Sequence, residues 1–210
     1  SILAVYQNYF FFITAIIGII STMLQGSLAG IGNSIATESK EKIYHDLNRL
    51  TFILSWIVCV CTNCFLVLFQ PFMTLWMGAE NLLSMSMVVM FCVYFVLYEY
   101  NQLFNLYKDA AGLWHEDRFR PLVTALTNLS LNLFLVQKIG VYGIIGSTVL
   151  SMLFVGMPWL LHNLFSLLFH RGLSGYLKEL AKYVAVTSVS CLISYVCTGY
   201  LNLSGIPGLI

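Results

Sequence analysis

Charged residues are scarce in this 210-residue sequence: ten Lys and Arg and nine Asp and Glu together make up 9% of the chain. A soluble domain is about 25% charged, so this composition excludes an ordinary water-soluble fold. The formal net charge is only +1, and the basic residues occur in short clusters between apolar runs. The sequence therefore lacks the basic surface that a nucleic-acid partner would require, and we expect none.

Alternation of apolar and polar residues, the mark of a transmembrane β-strand, is also missing. Instead, 59% of the residues are hydrophobic and lie in long runs. A helix needs roughly 20 such residues to cross a bilayer. Six segments meet or approach this length: 9–31, 51–75, 82–106, 121–137, 141–169 and 180–201. The sequence thus predicts an all-α fold, a polytopic membrane helix bundle of about six transmembrane helices.

Groups suited to catalysis or metal binding are few and scattered. The six cysteines lie inside apolar runs, where no cation would stabilise a thiolate, so we interpret them as small packing residues. No long loop could assemble an active site from His115, Glu116, Asp117 and His162. We therefore expect no catalytic residue, metal or cofactor, and a membrane enzyme such as a polymerase or acyltransferase is the least favoured function.

Positive charges alternate along the chain. All Lys and Arg residues except Lys138 lie in or at the border of the first, third and fifth connections between spans. The positive-inside rule makes these connections cytoplasmic. Residues 34–50, in the first of them, place Ile43, Leu47 and Leu50 on one helical face. This pattern predicts a short amphipathic elbow lying on the cytoplasmic membrane surface.

Small residues recur every four positions in two of the spans. The first span carries Gly18, Thr22, Gly26 and Gly30, and the segment after Gly140 carries Gly143, Ser147 and Ser151. Such a stripe lets a second helix approach closely. We therefore interpret the stripe of the first span as a packing face inside a bundle; the alternative is a rocking helix pair, which would use the same smooth surface.

Glu99 is the only carboxylate well inside a predicted span, and Asn101 follows it closely. An ionisable group in lipid is costly, which makes Glu99 a candidate functional residue. Alternatively, Lys108 or Arg118 satisfies it near the cytoplasmic interface.

Thr124, Asn128 and Asn132 follow one another at four-residue intervals in the fourth span and share one helical face. Amides facing lipid would be penalised, so this face must meet another helix or a watery cavity. Two interpretations stay open: hydrogen bonding between helices, or a path that accommodates sugars.

Several segments together resemble the polysaccharide-transport branch of the multidrug, oligosaccharidyl-lipid and polysaccharide flippase superfamily. They are GIGNSIATESKEK (30–42), PFMTLWMG (71–78), AAGLWHEDRFRPL (110–122), TNLSLNLFL (127–135) and KIGVYGIIGSTVLS (138–151). The resemblance implies one lobe, the second, of a two-lobed transporter. The missing first lobe would precede it in a longer chain, or a homodimer would supply it.

The resemblance also implies a function and a location. The family moves polyprenyl-diphosphate-linked oligosaccharide across the bacterial cytoplasmic (inner) membrane by alternating access, so the expected partners are this substrate and membrane lipids. Arg118 and Arg120 would meet the diphosphate, or else serve only as topology anchors. Asn101, Asn128 and Asn132 would lie along the substrate path, and Glu99 would couple transport to a proton or cation. The alternative is a cation-coupled drug or metabolite antiporter of the same fold.

Overall fold

A computed structural model describes residues 2–200 of the chain, and within them it contains helices and no strand. In chain order the elements are α1 Ile2–Gln25, α2 Leu28–Thr37, α3 Lys40–Met77, α4 Met85–Ala110, α5 Trp114–Asp117, α6 Arg120–Ile139, α7 Val141–Ser151, the π-helical segment π1 Met152–Gly156, α8 Met157–Asn163, the π-helical segment π2 Leu164–Phe169, and α9 Leu173–Tyr200. Six helical units among them are long and apolar enough to cross a membrane. The predicted all-α, multi-pass membrane bundle is therefore confirmed.

The first and last membrane-crossing units differ in extent from the predicted spans. The first covers residues 2–37 rather than 9–31, and a turn at Gly26 and Ser27 divides it into α1 and α2. The last begins at Leu173, seven residues before the predicted start at 180. The predicted final residue of that span, 201, lies outside the described residues.

A separate amphipathic elbow at 34–50 is not formed, because α3 runs without a break from Lys40 to Met77. Ser39 caps this helix by accepting a hydrogen bond from the Lys42 amide. Ile43 and Leu47 do share one face, as predicted, but that face is buried in the protein core instead of resting on lipid. The predicted apolar face is therefore correct, and the predicted contact of that face with the membrane surface is wrong.

Helix α4 is the centre of the bundle and contacts α1, α2, α3, α7 and α8. Aromatic side chains contribute to the contacts with α1 and α3: Phe91 packs against Tyr9 of α1, and Phe95 meets Phe65 of α3 edge to face. The Tyr100 hydroxyl lies 2.8 Å from Ser55 Oγ of α3. Phe91, Phe95 and Glu99 on the inner face of α4 are therefore enclosed by protein, whereas Val89 and Val93 on its other face are exposed.

Helices α6 and α7 form a tight antiparallel hairpin around Gly140, whose φ of 58° suits glycine. At Gly143 the backbones nearly touch: a Cβ atom there would lie 2.5 Å from the Val136 nitrogen and 2.6 Å from the Leu135 carbonyl carbon. The small residues of the fifth span thus allow α7 to pack closely on α6. The packing face predicted for the first span is not formed, since Gly18 and Gly30 face open space.

Replacing Gly143 with Ala should destabilise the protein. The added methyl group meets backbone that can yield only if α6 moves, and overpacking of this kind costs about 1–3 kcal/mol. Thermal unfolding of the purified protein in detergent should show a lower midpoint, by roughly 2–4 °C for each kcal/mol. Gly18→Ala is the matched control and should leave the midpoint unchanged or slightly raised; an equal fall in both variants would contradict the packing account.

Candidate functional site

Glu99 of α4 is completely buried, and neither of its carboxylate oxygens has a hydrogen-bond partner among residues 2–200. The two cations expected to satisfy it are engaged elsewhere. Lys108 Nζ lies 2.6 Å from Asp109 Oδ1, and Arg118 lies 3.1 Å from His115 Nε2. Glu99 is therefore an unpaired carboxylate inside a membrane-spanning helix.

The helical positions around Glu99 place it between α1 and α3. One turn before it, Phe95 packs on Phe65 of α3. Three residues after it, Gln102 donates a hydrogen bond of 3.3 Å to Ser21 of α1. Asn101, the neighbouring candidate, is half-buried and its carbonyl accepts a hydrogen bond from Asn105 Nδ2.

An ionised carboxylate without a partner is costly in an apolar interior. Two events can remove the cost: the uptake of a proton, or the arrival of a cation. Glu99 is thus a buried carboxylate that either event would stabilise at its place between α1 and α3.

A second polar feature is a buried ionic cluster where α4, α5, α6 and α8 meet. Arg120 Nε donates to both carboxylate oxygens of Asp117 at 2.7 and 2.9 Å, and its terminal nitrogen donates to Asn105 Oδ1 at 2.7 Å. Asn163 of α8 donates to Asp117 Oδ1 at 3.3 Å. These contacts tie the α5–α6 connection to the two inner helices.

Lys108 completes this cluster. Its Nζ lies 3.9 Å from Asp117 Oδ2 and packs 4.1 Å from the centre of the Trp114 ring. Arg120 and Lys108 thus face Asp117 and Asp109, whereas Arg118 is exposed. Of the two predicted diphosphate contacts, Arg118 is the one open to solvent.

Asp117, the centre of this cluster, was not among the predicted site residues. Its spacing of three residues from Arg120 was a usable signal, since such a pair faces one side of a helix. The contributions of Asn105 and Asn163 depend on how helices that are far apart in the sequence pack together, so no local sequence pattern indicates them.

The polar face of α6 is half-buried and lies against α7 and π1. The hydroxyl of Thr124 and the amide oxygen of Asn128 are buried without a hydrogen-bond partner in the described part of the chain. The interhelical hydrogen bonds that one interpretation expected are therefore not made by these two atoms. Asn132, one turn further on, is half-buried as well.

A long apolar groove separates α9 from α4 and α8. Its volume is about 1140 Å³, and it extends along α4 from Met85 to Tyr100 and along α9 from Leu173 to Tyr195. The lining is mainly aliphatic, with Val96, Leu161 and Leu180 as examples, and it includes Tyr100 and Tyr195. Such a groove suits a hydrocarbon chain and offers little to a free sugar.

No family model, curated protein or solved structure matches this chain. Across residues 2–200 there is also no group of three or more His, Cys, Asp or Glu side chains that could hold a metal ion. The fold alone defines the class: a multi-pass membrane protein built from helices.

Replacing Asp117 with Asn should destabilise the fold strongly. The change leaves the buried Arg120 and Lys108 without their shared anion, and breaking a buried ion pair on one side costs about 3–5 kcal/mol. Thermal unfolding in detergent measures the loss. Glu116→Gln removes the same charge one residue away at an exposed position, so it should cost little; equal losses in both variants would argue against the cluster.

Proposed function

We propose that this chain is one lobe of a transporter that flips polyprenyl-diphosphate-linked oligosaccharide across the bacterial cytoplasmic membrane by alternating access. The proposal is supported by the resemblance of five segments to polysaccharide flippases and by the six-helix membrane bundle. The observation that carries it is the buried, unpartnered carboxylate of Glu99. A group of this kind is retained in a membrane helix, despite its cost, when it serves a function.

Glu99 supplies the energy coupling in this proposal. When the carboxylate takes up a proton or cation, the cost of burying it falls, and the packing of α4 between α1 and α3 becomes more favourable. When the ligand leaves, an arrangement that opens Glu99 to water is favoured instead. A ligand shifts such an equilibrium only through its different affinity for the two arrangements, and a buried carboxylate provides that difference.

The remaining polar and apolar features suit an amphipathic lipid-linked substrate. Arg118 is exposed beside the α5–α6 connection, where its guanidinium can meet a diphosphate with two parallel hydrogen bonds. Arg120 acts on Arg118 indirectly, because its bonds to Asp117 and Asn105 position the connection that carries Arg118. Asn132 is available to sugar hydroxyls at the half-buried edge of α6.

A cation-coupled drug or metabolite antiporter is the second candidate. The specific observation in its favour is the aliphatic groove of about 1140 Å³, since apolar drugs bind in pockets of this kind. The two candidates share the coupling role of Glu99 and differ in their need for Arg118. An antiporter of uncharged or cationic drugs has no use for a phosphate-binding cation.

Transfer of a fluorescent polyprenyl-diphosphate oligosaccharide across vesicles containing the full chain tests the proposal. Accessibility of the fluorophore to an external quencher reports the transfer. Glu99→Gln should reduce ion-driven transfer at least about tenfold, because a neutral amide cannot take up the coupling ion. Glu80→Gln, at an exposed position between α3 and α4, should transfer at the unmodified rate.

Loss of folding does not explain the expected defect, because Gln removes a buried charge. Glu99→Gln should therefore unfold at the same temperature as the unmodified protein or at a higher one.

Arg118→Ala should slow transfer of the diphosphate substrate and leave efflux of an uncharged drug unchanged. Normal transfer by both Glu99→Gln and Arg118→Ala would refute the flippase proposal.

A further inference from the structure

The groove between α9 and the helices α4 and α8 is as long as the membrane is thick. It follows α9 from Leu173 to Tyr195, which corresponds to about 33 Å at a rise of about 1.5 Å per residue. The hydrocarbon core of a bilayer is about 30 Å thick. The groove therefore runs from one surface of this core to the other, and a molecule that occupies it must be apolar.

Two hydrogen bonds hold α9 on α3 beside the groove. Near the start of α9 the Tyr176 hydroxyl lies 2.8 Å from Thr51 Oγ1, and near its end Ser194 Oγ donates to Asn63 Oδ1 at 2.7 Å. Lipid offers neither pair a replacement partner, so both bonds are costly to break. A tilt of α9 that closed the groove would break at least one of them.

The groove is too small for another membrane helix. Its volume is about 1140 Å³, whereas a helix about 10 Å across and about 30 Å long occupies on the order of 2400 Å³. Leu177, Val184 and Leu192 of α9 line the groove and are also exposed, so it opens sideways to lipid. A flexible hydrocarbon chain fits this shape.

Lys178 lies at the end of the groove that the positive-inside rule places in the cytoplasm. It stands on α9 between Leu177 and Ala181, which both line the groove, and its side chain is exposed. At the outer end the lining residues are uncharged, with Ser86 and Tyr195 among them. A lysine so placed can keep its charge in water while its stem lies against apolar surface.

The basic residues near Lys178 are neutralised, and Lys178 is not. Arg171 lies 2.6 Å from Glu41, and Lys182 lies 2.6 Å from Glu179. Within residues 2–200, Lys178 forms no ion pair. One positive charge therefore remains at this end of the groove. It matches the single negative charge of a phosphodiester, whereas a diphosphate would call for more than one cation.

From these features we propose that the groove binds an acyl chain of an anionic phospholipid from the cytoplasmic leaflet, with the lipid phosphate at Lys178. An acyl chain crosses one leaflet, roughly 15 Å, which corresponds to the stretch of α9 from Leu173 to Val184 at about 1.5 Å per residue. Anionic lipids attract basic residues at the cytoplasmic surface. The bound chain fills the space between α9 and α4 and stabilises their arrangement. The site involves neither Glu99 nor an oligosaccharide, so it stands apart from the proposed function.

Thermal unfolding of the delipidated full chain in detergent, with and without added lipid, tests the proposal. Dioleoyl phosphatidylglycerol should raise the unfolding midpoint by about 5–10 °C at about a hundred times its dissociation constant. Dioleoyl phosphatidylcholine has the same chains and no net charge, and it should bind about fivefold more weakly. Lys178→Ala should remove this preference, whereas Lys138→Ala, which removes an exposed lysine at the opposite membrane surface, should retain it.

A second set of variants tests whether the acyl chain lies in the groove. Val96→Trp fills the middle of the groove from α4 and should abolish the lipid-induced rise, whereas Val60→Trp, at an exposed position of α3, should leave it unchanged. If Val96→Trp fails to fold, Leu180→Phe narrows the groove from α9 and should weaken the response.

Native mass spectrometry of the same proteins measures the retained lipid directly. The proposal predicts that phosphatidylglycerol is retained by the unmodified chain and lost from Val96→Trp. An equal rise with both lipids, or an undiminished response in Val96→Trp, would overturn it. Retention of polyprenyl phosphate in preference to phosphatidylglycerol would also overturn it and would assign the groove to the tail of a lipid-linked substrate.

Discussion

Water is absent from the interior of a bilayer, so a polar group carried by a membrane helix must find its partner within the protein. This constraint explains how the bundle is joined. The Tyr176 hydroxyl of α9 forms a hydrogen bond with Thr51 of α3, and the Tyr100 hydroxyl of α4 forms one with Ser55, which also belongs to α3. Around these contacts, aromatic side chains fill the space between α4 and its neighbours. Among the few buried polar groups left without a partner in residues 2–200, Glu99 is the one with both carboxylate oxygens unpartnered, and the proposed function depends on it.

The same constraint divides the basic residues near the α5–α6 connection into two roles. Arg120 is inside the protein, where Asp117 and Asn105 take up its hydrogen bonds, and it fixes the path of the chain. Arg118 is exposed to solvent, with its guanidinium 3.1 Å from His115 Nε2. Arg118 and Arg120 look equivalent in the sequence, but Arg120 is a buried structural cation and Arg118 is accessible to solvent.

Features that depend on helix length and hydropathy could be predicted from the sequence, as the six membrane-spanning helices show. Features that depend on a partner could not. The stripe at Gly143 packs tightly and the stripe at Gly18 does not, although both have the same spacing, because spacing describes one helix and contact requires two. For the same reason the periodicity of Ile43 and Leu47 indicated a buried face but did not reveal that protein, rather than the membrane surface, covers it. Glu99 could be predicted because a carboxylate stands out in an apolar run. Asp117 could not, because it lies in a charged stretch between two spans, where acidic residues are common.

Infrared difference spectroscopy of the protein in lipid vesicles tests the central claim, that Glu99 is the group which takes up the coupling ion. Spectra recorded as the pH or the cation concentration is stepped report the protonation and coordination of buried carboxyl groups. The account predicts a carboxyl band that responds to the step, changes again when substrate is added, and is absent from Glu99→Gln. A spectrum that is the same with and without Glu99 would contradict it and would leave Glu99 as a buried carboxylate without a role in transport.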